Sequence, residues 1–549
     1  MKRAGIIAAG VIGGWFILVW LVIRPLTDGP VVDSWIYAES VRWFIRTGEI
    51  RFAGYTQAMP AAQVLWGAAW AILFGASASS LEISTAVLGA SASIMFYALA
   101  IRCGARRWQA FAGAALIACN PCFLFLGFSF MTEVPFLAAL VASHLAFANA
   151  TGENEVRWLW IAAIAGVIAF SVRPFGGIAI AGASGAILFD AWKNPRRDYA
   201  AFAMKLAPFA VATGLCAIDW IYFTIVRTPP WSLRLNESHL PYLFAVPLAE
   251  YLRSGVLNPL LWIGIAVSPI ALGALAGGRA ARVIGWAIAI YAVAAILIRI
   301  NPALPVTPEL SCFGGCANVL QLHEVPNRFR WSGWGQWVAM AIGSIGAGAI
   351  IEAARGAVGR LTRPSLAVLI AVAMYFAVSI PLWMFNDRYD LVMLPAACLI
   401  VALAPLPNRL PAKALTFTAI GIMGLLSMGG VYAYQRGLAA VMAERDQLLR
   451  QGVPRRAIDA GYELNGLDLY RFPEKGEDEF RDERGIPMIT SAKVDEFTIA
   501  SRVLPGTVIV RRFSWPGPFG VGSRDLYVLK KGITAQPITH SATAEAPGR

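Results

Sequence analysis

Ala4-Gly5-Ile6-Ile7-Ala8-Ala9-Gly10-Val11-Ile12-Gly13-Gly14-Trp15-Phe16-Ile17-Leu18-Val19-Trp20-Leu21-Val22-Ile23 holds no charged residue. Its length matches the ~20 residues that a helix needs to cross the hydrocarbon of a bilayer. Just past it comes Thr27-Asp28-Gly29-Pro30-Val31-Val32-Asp33-Ser34-Trp35-Ile36-Tyr37-Ala38-Glu39-Ser40. Carboxylates this close to lipid are costly unless they sit in a wet cavity or perform chemistry.

The rest of the chain follows the first span. Of its 549 residues 58% are hydrophobic and 14% charged, with mean hydropathy +0.60. Soluble chains carry about 25% charged residues, so this is an α-helical multispan membrane protein. No small-residue cleavage signal follows the first span, which reads as retained. The net charge of +13 needs no nucleic acid, because Lys and Arg gather on the cytoplasmic side of membrane proteins.

Basic clusters set the register. Lys2-Arg3, Arg102/Arg106/Arg107, Lys193/Arg196/Arg197, Arg279/Arg282, Arg355/Arg360/Arg363 and Arg409/Lys413 share one side if spans lie near 4–23, 80–101, 109–128, 134–150, 158–171, 177–192, 205–226, 257–276, 283–300, 333–351, 365–384, 391–404 and 415–433. This gives about 13 transmembrane helices with the amino terminus inside. Residues 24–79 then form one long outer loop. Within it, 34–47 reads as an amphipathic helix, with Ala38, Val41, Phe44 and Ile45 on its apolar face. Residues 60–76 read as a helix lying in the interface; as a fourteenth span they would turn the Arg102–Arg107 cluster outward.

After 434 the composition changes. The expected organisation is a membrane domain over 1–434, a small soluble α+β domain over 435–534 on the outer side, and a disordered tail over 535–549. The soluble part opens with a helical pattern (Leu438–Arg450), passes an acidic stretch (Glu474–Glu483) and ends in strand-like segments (Thr498–Val503, Thr507–Arg512, Asp525–Leu529). Cys312 and Cys316 share an outer loop; a disulfide and two free thiols are both open there. No cysteine spacing suggests a metal.

On this register the conspicuous polar residues share the outer side: Asp28, Asp33 and Glu39, then Glu133 in Phe130-Met131-Thr132-Glu133-Val134-Pro135, Arg173 in Ser171-Val172-Arg173-Pro174-Phe175, and Arg388 in Asn386-Asp387-Arg388-Tyr389-Asp390. Carboxylates and arginines around one cavity suit group transfer from a phosphate leaving group. A carboxylate takes the acceptor's proton, and arginines hold the phosphate. Plainer readings stand beside this one. Asp33 and Glu133 suit helix starts, Arg173 and Arg388 can snorkel, Asp28 can be a turn residue, and His239 and His323 lack metal spacing.

These motifs, in this order, resemble the GT-C superfamily of polyprenyl-phosphate-sugar glycosyltransferases, which includes protein O-mannosyltransferases and the aminoarabinose–lipid A transferases. The resemblance covers roughly 1–434. It rests on Asp33-Ser34-Trp35-Ile36-Tyr37-Ala38-Glu39 with Thr47-Gly48, on Thr132-Glu133-Val134-Pro135, on Val172-Arg173-Pro174, and on Asp387-Arg388-Tyr389-Asp390-Leu391 through Pro395. It implies an inverting transfer from a polyprenyl-phosphate sugar to a glycolipid, glycan or protein acceptor on the outer face of a bacterial inner membrane. Asp33 is the implied catalytic base and Glu133 its partner in organising the site. Arg173 and Arg388 are the implied phosphate grip, with Asp28, Tyr37, Glu39 and Tyr389 in support. The first loop lacks the adjacent Asp-Glu pair of relatives, the second acid is Glu where several have Asp, and the third-loop base is Arg where many have Lys. Lone, scattered acids favour a metal-independent reaction, although some of the superfamily use a divalent ion. A transporter or flippase of lipid-linked saccharides is the alternative class, marked by inverted repeats and midplane ionisable sites, neither of which is evident.

Overall fold

The computed structural model describes residues 2–24, 28–52, 59–193, 198–226, 252–275, 279–300, 334–379, 387–469 and 496–532. The loop with Cys312 and Cys316, His239, His323, the acidic stretch 474–483 and the tail 535–549 lie outside them.

The expected apolar runs are helices: α1 (Lys2–Ile23), α4 (Ala78–Arg102), α5 (Arg107–Cys119), α6 (Pro121–Gly127), α7 (Glu133–Asn149), α8 (Glu155–Phe170), α9 (Gly177–Lys193), α10 (Tyr199–Ile221), α11 (Asn258–Leu275), α12 (Ala280–Ile300), α13 (Trp334–Ala357), α14 (Arg363–Ser379), α16 (Leu394–Leu403) and α17 (Leu410–Arg450). Two helices occupy the first loop, α2 (Ser34–Thr47) and α3 (Ala61–Phe74), and a short α15 (Asp387–Asp390) precedes α16. Among the described residues eight helices are long and apolar enough to span a membrane, or nine if the bent α5–α6 pair is one span. The bend, 61°, has a local cause. Pro121 cannot continue the ladder of α5, and the Asn120 side chain starts α6 by accepting the Phe123 N–H at 3.0 Å.

With hydrocarbon inside and outside the protein, helices associate by close packing. The contact of α11 with α13 shows this: a Cβ on Gly264 would stand 2.0 Å from the Gly343 carbonyl oxygen, and one on Gly346 1.9 Å from that of Gly264. The α2 helix begins and ends where expected, but its buried face is Ser34 through Ala38 with Ser40 and Val41. Ile45, expected on that face, is exposed. Gly48 stops the helix at φ +72°, its N–H bonded to the Phe44 carbonyl. The fourteen residues of α3 fall short of the ~20 required to cross a bilayer.

The helix α17 runs unbroken from 410 to 450, through the expected domain boundary at 434. At 1.5 Å per residue it is about 60 Å long, twice the hydrocarbon thickness, so its second half stands outside the apolar layer. A four-stranded sheet packs against that half: β1 (Ile458–Asp459), β2 (Phe497–Ala500), β3 (Thr507–Pro516) and β4 (Ser523–Lys531), in the order β1-β2-β4-β3. The β1–β2 pair is parallel and the others antiparallel, with a bulge between Ile509 and Arg511. Trp515 anchors the sheet. It is buried, and its indole N–H donates to the Ala433 carbonyl at 2.7 Å. Nearby, Arg511 pairs with Glu444 at 2.7 Å.

The anchor depends on the bare backbone at Gly437, where a Cβ would stand 1.8 Å from the Trp515 ring. In an exposed helix Gly→Ala is worth about 1 kcal/mol of stabilisation. At Gly437 the sign is expected to reverse, since overpacking costs about 1–3 kcal/mol. Gly437→Ala should loosen the sheet from α17, read as faster tryptic cleavage at Arg455 and Arg456 with the helical bundle intact.

Candidate active site

The turn after α1 sets the first acid. Val32 has φ +52°, a strained conformation for a β-branched residue. The Val31 N–H donates to the Ser34 hydroxyl at 2.7 Å, and the Ser34 N–H returns to the Val31 carbonyl. Serine thus closes the turn, and Asp33 makes no side-chain capping bond. Its carboxylate instead takes Arg388 Nη1 at 3.1 Å, so the capping reading of Asp33 gives way to an ion pair.

The second acid, Glu133, opens α7 and is 3% exposed. Its Oε1 accepts from Arg173 Nη2 at 2.6 Å and lies 3.6 Å from Arg388 Nε. Arg173 is buried at the turn between α8 and α9. Pro174 forces it into the extended region, and its Nε donates to Thr132 Oγ1 at 2.6 Å. Neither arginine snorkels. Tyr389 completes the cluster, with the guanidinium carbons of Arg173 and Arg388 at 5.2 and 5.1 Å from its ring centroid. Arg388 Nη2 meets the Tyr389 hydroxyl at 3.2 Å, and Tyr375 donates to the Tyr389 carbonyl at 2.9 Å. Tyr37 lies beside all four charges; burial, then the Asp33 charge, pushes its hydroxyl well above the ordinary phenol range and keeps it neutral.

Asp33, Glu133, Arg173, Arg388, Tyr37 and Tyr389 therefore meet at one place, where two carboxylates balance two guanidiniums. Asp28 and Glu39 stay outside it. Asp28 caps α4, accepting the Ala78 N–H at 2.5 Å, while Glu39 pairs along its own helix with Arg46 at 3.0 Å. Among the described residues no group of three or more His, Cys, Asp or Glu converges.

Three participants carry weaker sequence signals. Thr132 sits inside the Glu133 motif, and Tyr375 looks like any aromatic in a span. The third is Glu463, on helix α18 (Tyr462–Leu469) of the C-terminal sheet domain. Asp459 and Asn465 tie the turn before α18, with the Asn465 amide on Asp459 Oδ1 at 2.7 Å and the Ala460 N–H on Asn465 Oδ1 at 3.0 Å. The helix lies on α2; a Cβ on Gly466 would stand 2.4 Å from the Trp35 ring. Glu463 is 1% exposed, and neither carboxylate oxygen has a hydrogen-bond partner among the described residues. Burial, reinforced by Asp33, raises its carboxyl well above the usual range.

Residues 63–215 match the model of the dolichyl-phosphate-mannose-protein mannosyltransferase family. The match covers under a third of the chain and lies within α3 to α10. The matched segment contains Glu133 and Arg173 but neither Asp33 nor Arg388. Several solved structures are similar at low identity. The Saccharomyces cerevisiae protein O-mannosyltransferase Pmt1-Pmt2 complex bound to its sugar donor matches at 18% identity over 40% of this chain and 33% of its own, with TM-score 0.33. The oligosaccharyltransferase AglB of Archaeoglobus fulgidus, in complex with an inhibitory peptide and a dolichol-phosphate, matches at 16% over 87% and 62%, with TM-score 0.46. ArnT of Cupriavidus metallidurans matches at 14% over 94% and 97%, with TM-score 0.41. The chain thus spans a third of the length of the first and less than two thirds of the second. No curated protein sequence matches it.

Two outcomes follow from the geometry. Arg173→Gln strands the buried Glu133 carboxylate, and breaking one side of a buried pair costs about 3–5 kcal/mol; thermal denaturation should show a lowered midpoint, while Arg46→Gln at the surface should not. The second concerns pH. Docking raises the Glu463 carboxyl above its free range, so docking is strongest below about pH 4 and weakens as pH rises through the free value toward the raised one. Protection factors over 458–469, corrected for the intrinsic base-catalysed exchange rate, should fall from pH 5 to pH 8, and Glu463→Gln should flatten that fall.

Proposed function

We propose that this protein is an inverting glycosyltransferase that moves a sugar from a polyprenyl-phosphate donor to an acceptor hydroxyl at the outer face of a bacterial inner membrane. The cluster of Asp33, Glu133, Arg173 and Arg388 carries this reading. Asp33 takes the proton of the acceptor hydroxyl as the oxygen attacks the anomeric carbon. The bond from that carbon to the phosphate oxygen breaks on the opposite face, and its electron pair leaves with the polyprenyl phosphate. One displacement inverts the anomeric centre.

In this reading the ion pair of Arg388 with Asp33 has a mechanistic use. An incoming phosphate competes for the Arg388 fork and draws it from Asp33, so the base is released as the donor arrives. Arg173, fixed by Thr132 and Glu133, supplies a second cation to the leaving group. Tyr37 and Tyr389 wall the site, and Asp28 and Glu39 hold the first-loop scaffold.

The span register adds the setting. Thirteen passages with the amino terminus inside bring the starts of α7 and α9 and the ends of α1, α8 and α14 to the outer surface, together with the soluble part over 435–534. The acceptor class, among glycolipid, glycan and protein, is proposed no further.

The decisive experiment is Asp33→Asn, assayed with polyprenyl-phosphate sugar in reconstituted membranes. A general base contributes about 10²–10⁴-fold, so kcat should fall by that much with the variant still folded, and the wild-type product should have the anomer opposite to the donor's. Undiminished transfer by Asp33→Asn would remove the base assignment. Saccharide transport into liposomes without transfer would favour the flippase class.

A further inference from the structure

The turn that joins β3 to β4 is free of charge in a domain otherwise rich in it. Phe513-Ser514-Trp515-Pro516-Gly517-Pro518-Phe519-Gly520-Val521-Gly522-Ser523 lies between Arg512 and Arg524. At its tip Phe519 is 47% and Val521 77% exposed. Two large apolar side chains held out together mark a surface with a partner.

The place of the tip is fixed by α17, because the hairpin descends that helix step by step. Arg511 pairs with Glu444. Four residues on, Trp515 bonds the Ala433 carbonyl and lies on Gly437. Four further on, the Phe519 ring lies on Gly429, where a Cβ would stand 2.8 Å from it. The same ring stacks on Tyr432, with centroids 6.0 Å apart and planes at 26°. Each step goes toward the apolar half of α17.

The charge pattern of α17 gives the depth. No charged residue stands between Lys413 and Arg436, so this stretch is the part that lies in hydrocarbon. Gly429 is two turns inside Arg436, about 10 Å at 1.5 Å per residue. Interfacial segments sink about 5–10 Å into the boundary between headgroups and acyl chains. Arg524 stands opposite Trp515 in the hairpin, level with Ala433 to Gly437 and so with the headgroups.

The face of α17 gives the direction. Gly429 continues the stripe of Ile422, Leu425 and Leu426 at helical spacing, and all three are exposed. On a membrane-spanning stretch such a stripe meets lipid tails, which are as apolar as leucine. The tip is thus the continuation of a lipid-facing surface. Its backbone suits that setting, where polar groups must be bonded within the protein. Pro516 and Pro518 have no N–H. The Gly517 N–H donates to the Gly522 carbonyl at 2.8 Å, that of Gly520 to Gly517 at 3.0 Å, and that of Val521 to Pro518 at 2.9 Å. Phe519 holds φ +51°, an uncommon conformation for a bulky residue, with its ring on the bare helix at Gly429.

We propose that the β3–β4 tip is a membrane anchor, with Phe519 and Val521 entering the acyl boundary beside α17 and Arg524 at the headgroups. The anchor sets the sheet domain against the lipid surface, and it is independent of the glycosyltransferase reading.

The test places a bimane label at Val521→Cys in the full chain in nanodiscs. Wild-type protein carried through the labelling gives the background of the native cysteines. Val503→Cys, exposed in the connection at the far end of β3, is the comparison. The label at 521 should be quenched by phosphatidylcholine with a nitroxide high on its acyl chain and should lose its quenching by aqueous iodide. The label at 503 should show the opposite. Phe519→Ser takes the ring off Gly429 and should return the 521 label to iodide. Iodide quenching at 521 equal to that at 503 would overturn the proposal. Shielding of 521 from both quenchers would overturn it too, since it marks a protein contact. A 521 label that stays in lipid in Phe519→Ser would overturn the seat on Gly429 as what holds the tip.

Discussion

One oxygen atom holds the candidate site together. Glu133 Oε1 is shared by Arg173 at 2.6 Å and Arg388 at 3.6 Å, and through Arg388 it is linked to Asp33. A single buried carboxylate thus joins the start of α7, the α8–α9 turn, the segment before α16 and the loop between α1 and α4. Burying a charge is expensive unless it is paired and hydrogen-bonded. The surroundings meet that demand with two guanidiniums, a threonine hydroxyl and a tyrosine ring. Each arginine is in turn fixed by what it does for the acid: Arg173 by Pro174 and Thr132, Arg388 by Asp33 and Tyr389. The network is neutral in sum and satisfied in most of its parts, which is the condition under which buried polar groups rigidify a structure.

Much of this was legible in the sequence, for reasons that differ by residue. The helices at the expected spans follow from apolar length, and the helix over 34–47 from its periodicity and its closing Gly48. Glu133, Arg173 and Arg388 stood out because an ionisable group at the end of an apolar run needs a reason to be there. Asp33 was harder. Its place ahead of a helix suits a cap, yet Ser34 closes the turn and the aspartate is left for Arg388. Nothing local could reveal that, since the partner lies 355 residues away. Asp28 went the other way, a candidate for the site that turned out to cap α4. Tyr375 had no signal, because an aromatic in a span is ordinary. Glu463 lay in a stretch whose composition says only that it is soluble, and its burial comes from a helix docking on Trp35.

The C-terminal sheet domain is joined to the helical bundle more firmly than a composition change suggests. α17 passes from one to the other without a break, Trp515 locks the sheet to it, and α18 returns to cover the first-loop helix that follows Asp33. Two separate attachments, one to α17 and one to α2, fix the orientation of the sheet over the site. The edge strand β3 thus carries the anchoring Trp515 and Arg511 at the same time as the exposed Val508, Ile509 and Val510.

The separation of Asp33 from Arg388 also has a meaning in time. A ribosome adds about 5–20 residues per second, so Asp33 and Glu133 are in place for tens of seconds before Arg388 exists. Arg173 follows Glu133 by only 40 residues, a few seconds at that rate, whereas the ion pair of Asp33 with Arg388 forms only after the whole interval. The ion pair between the first loop and Arg388 is thus made late, by a residue ahead of one of the last helices in the chain. Until then the first loop is held by what its own helix buries, the face of α2 from Ser34 to Val41.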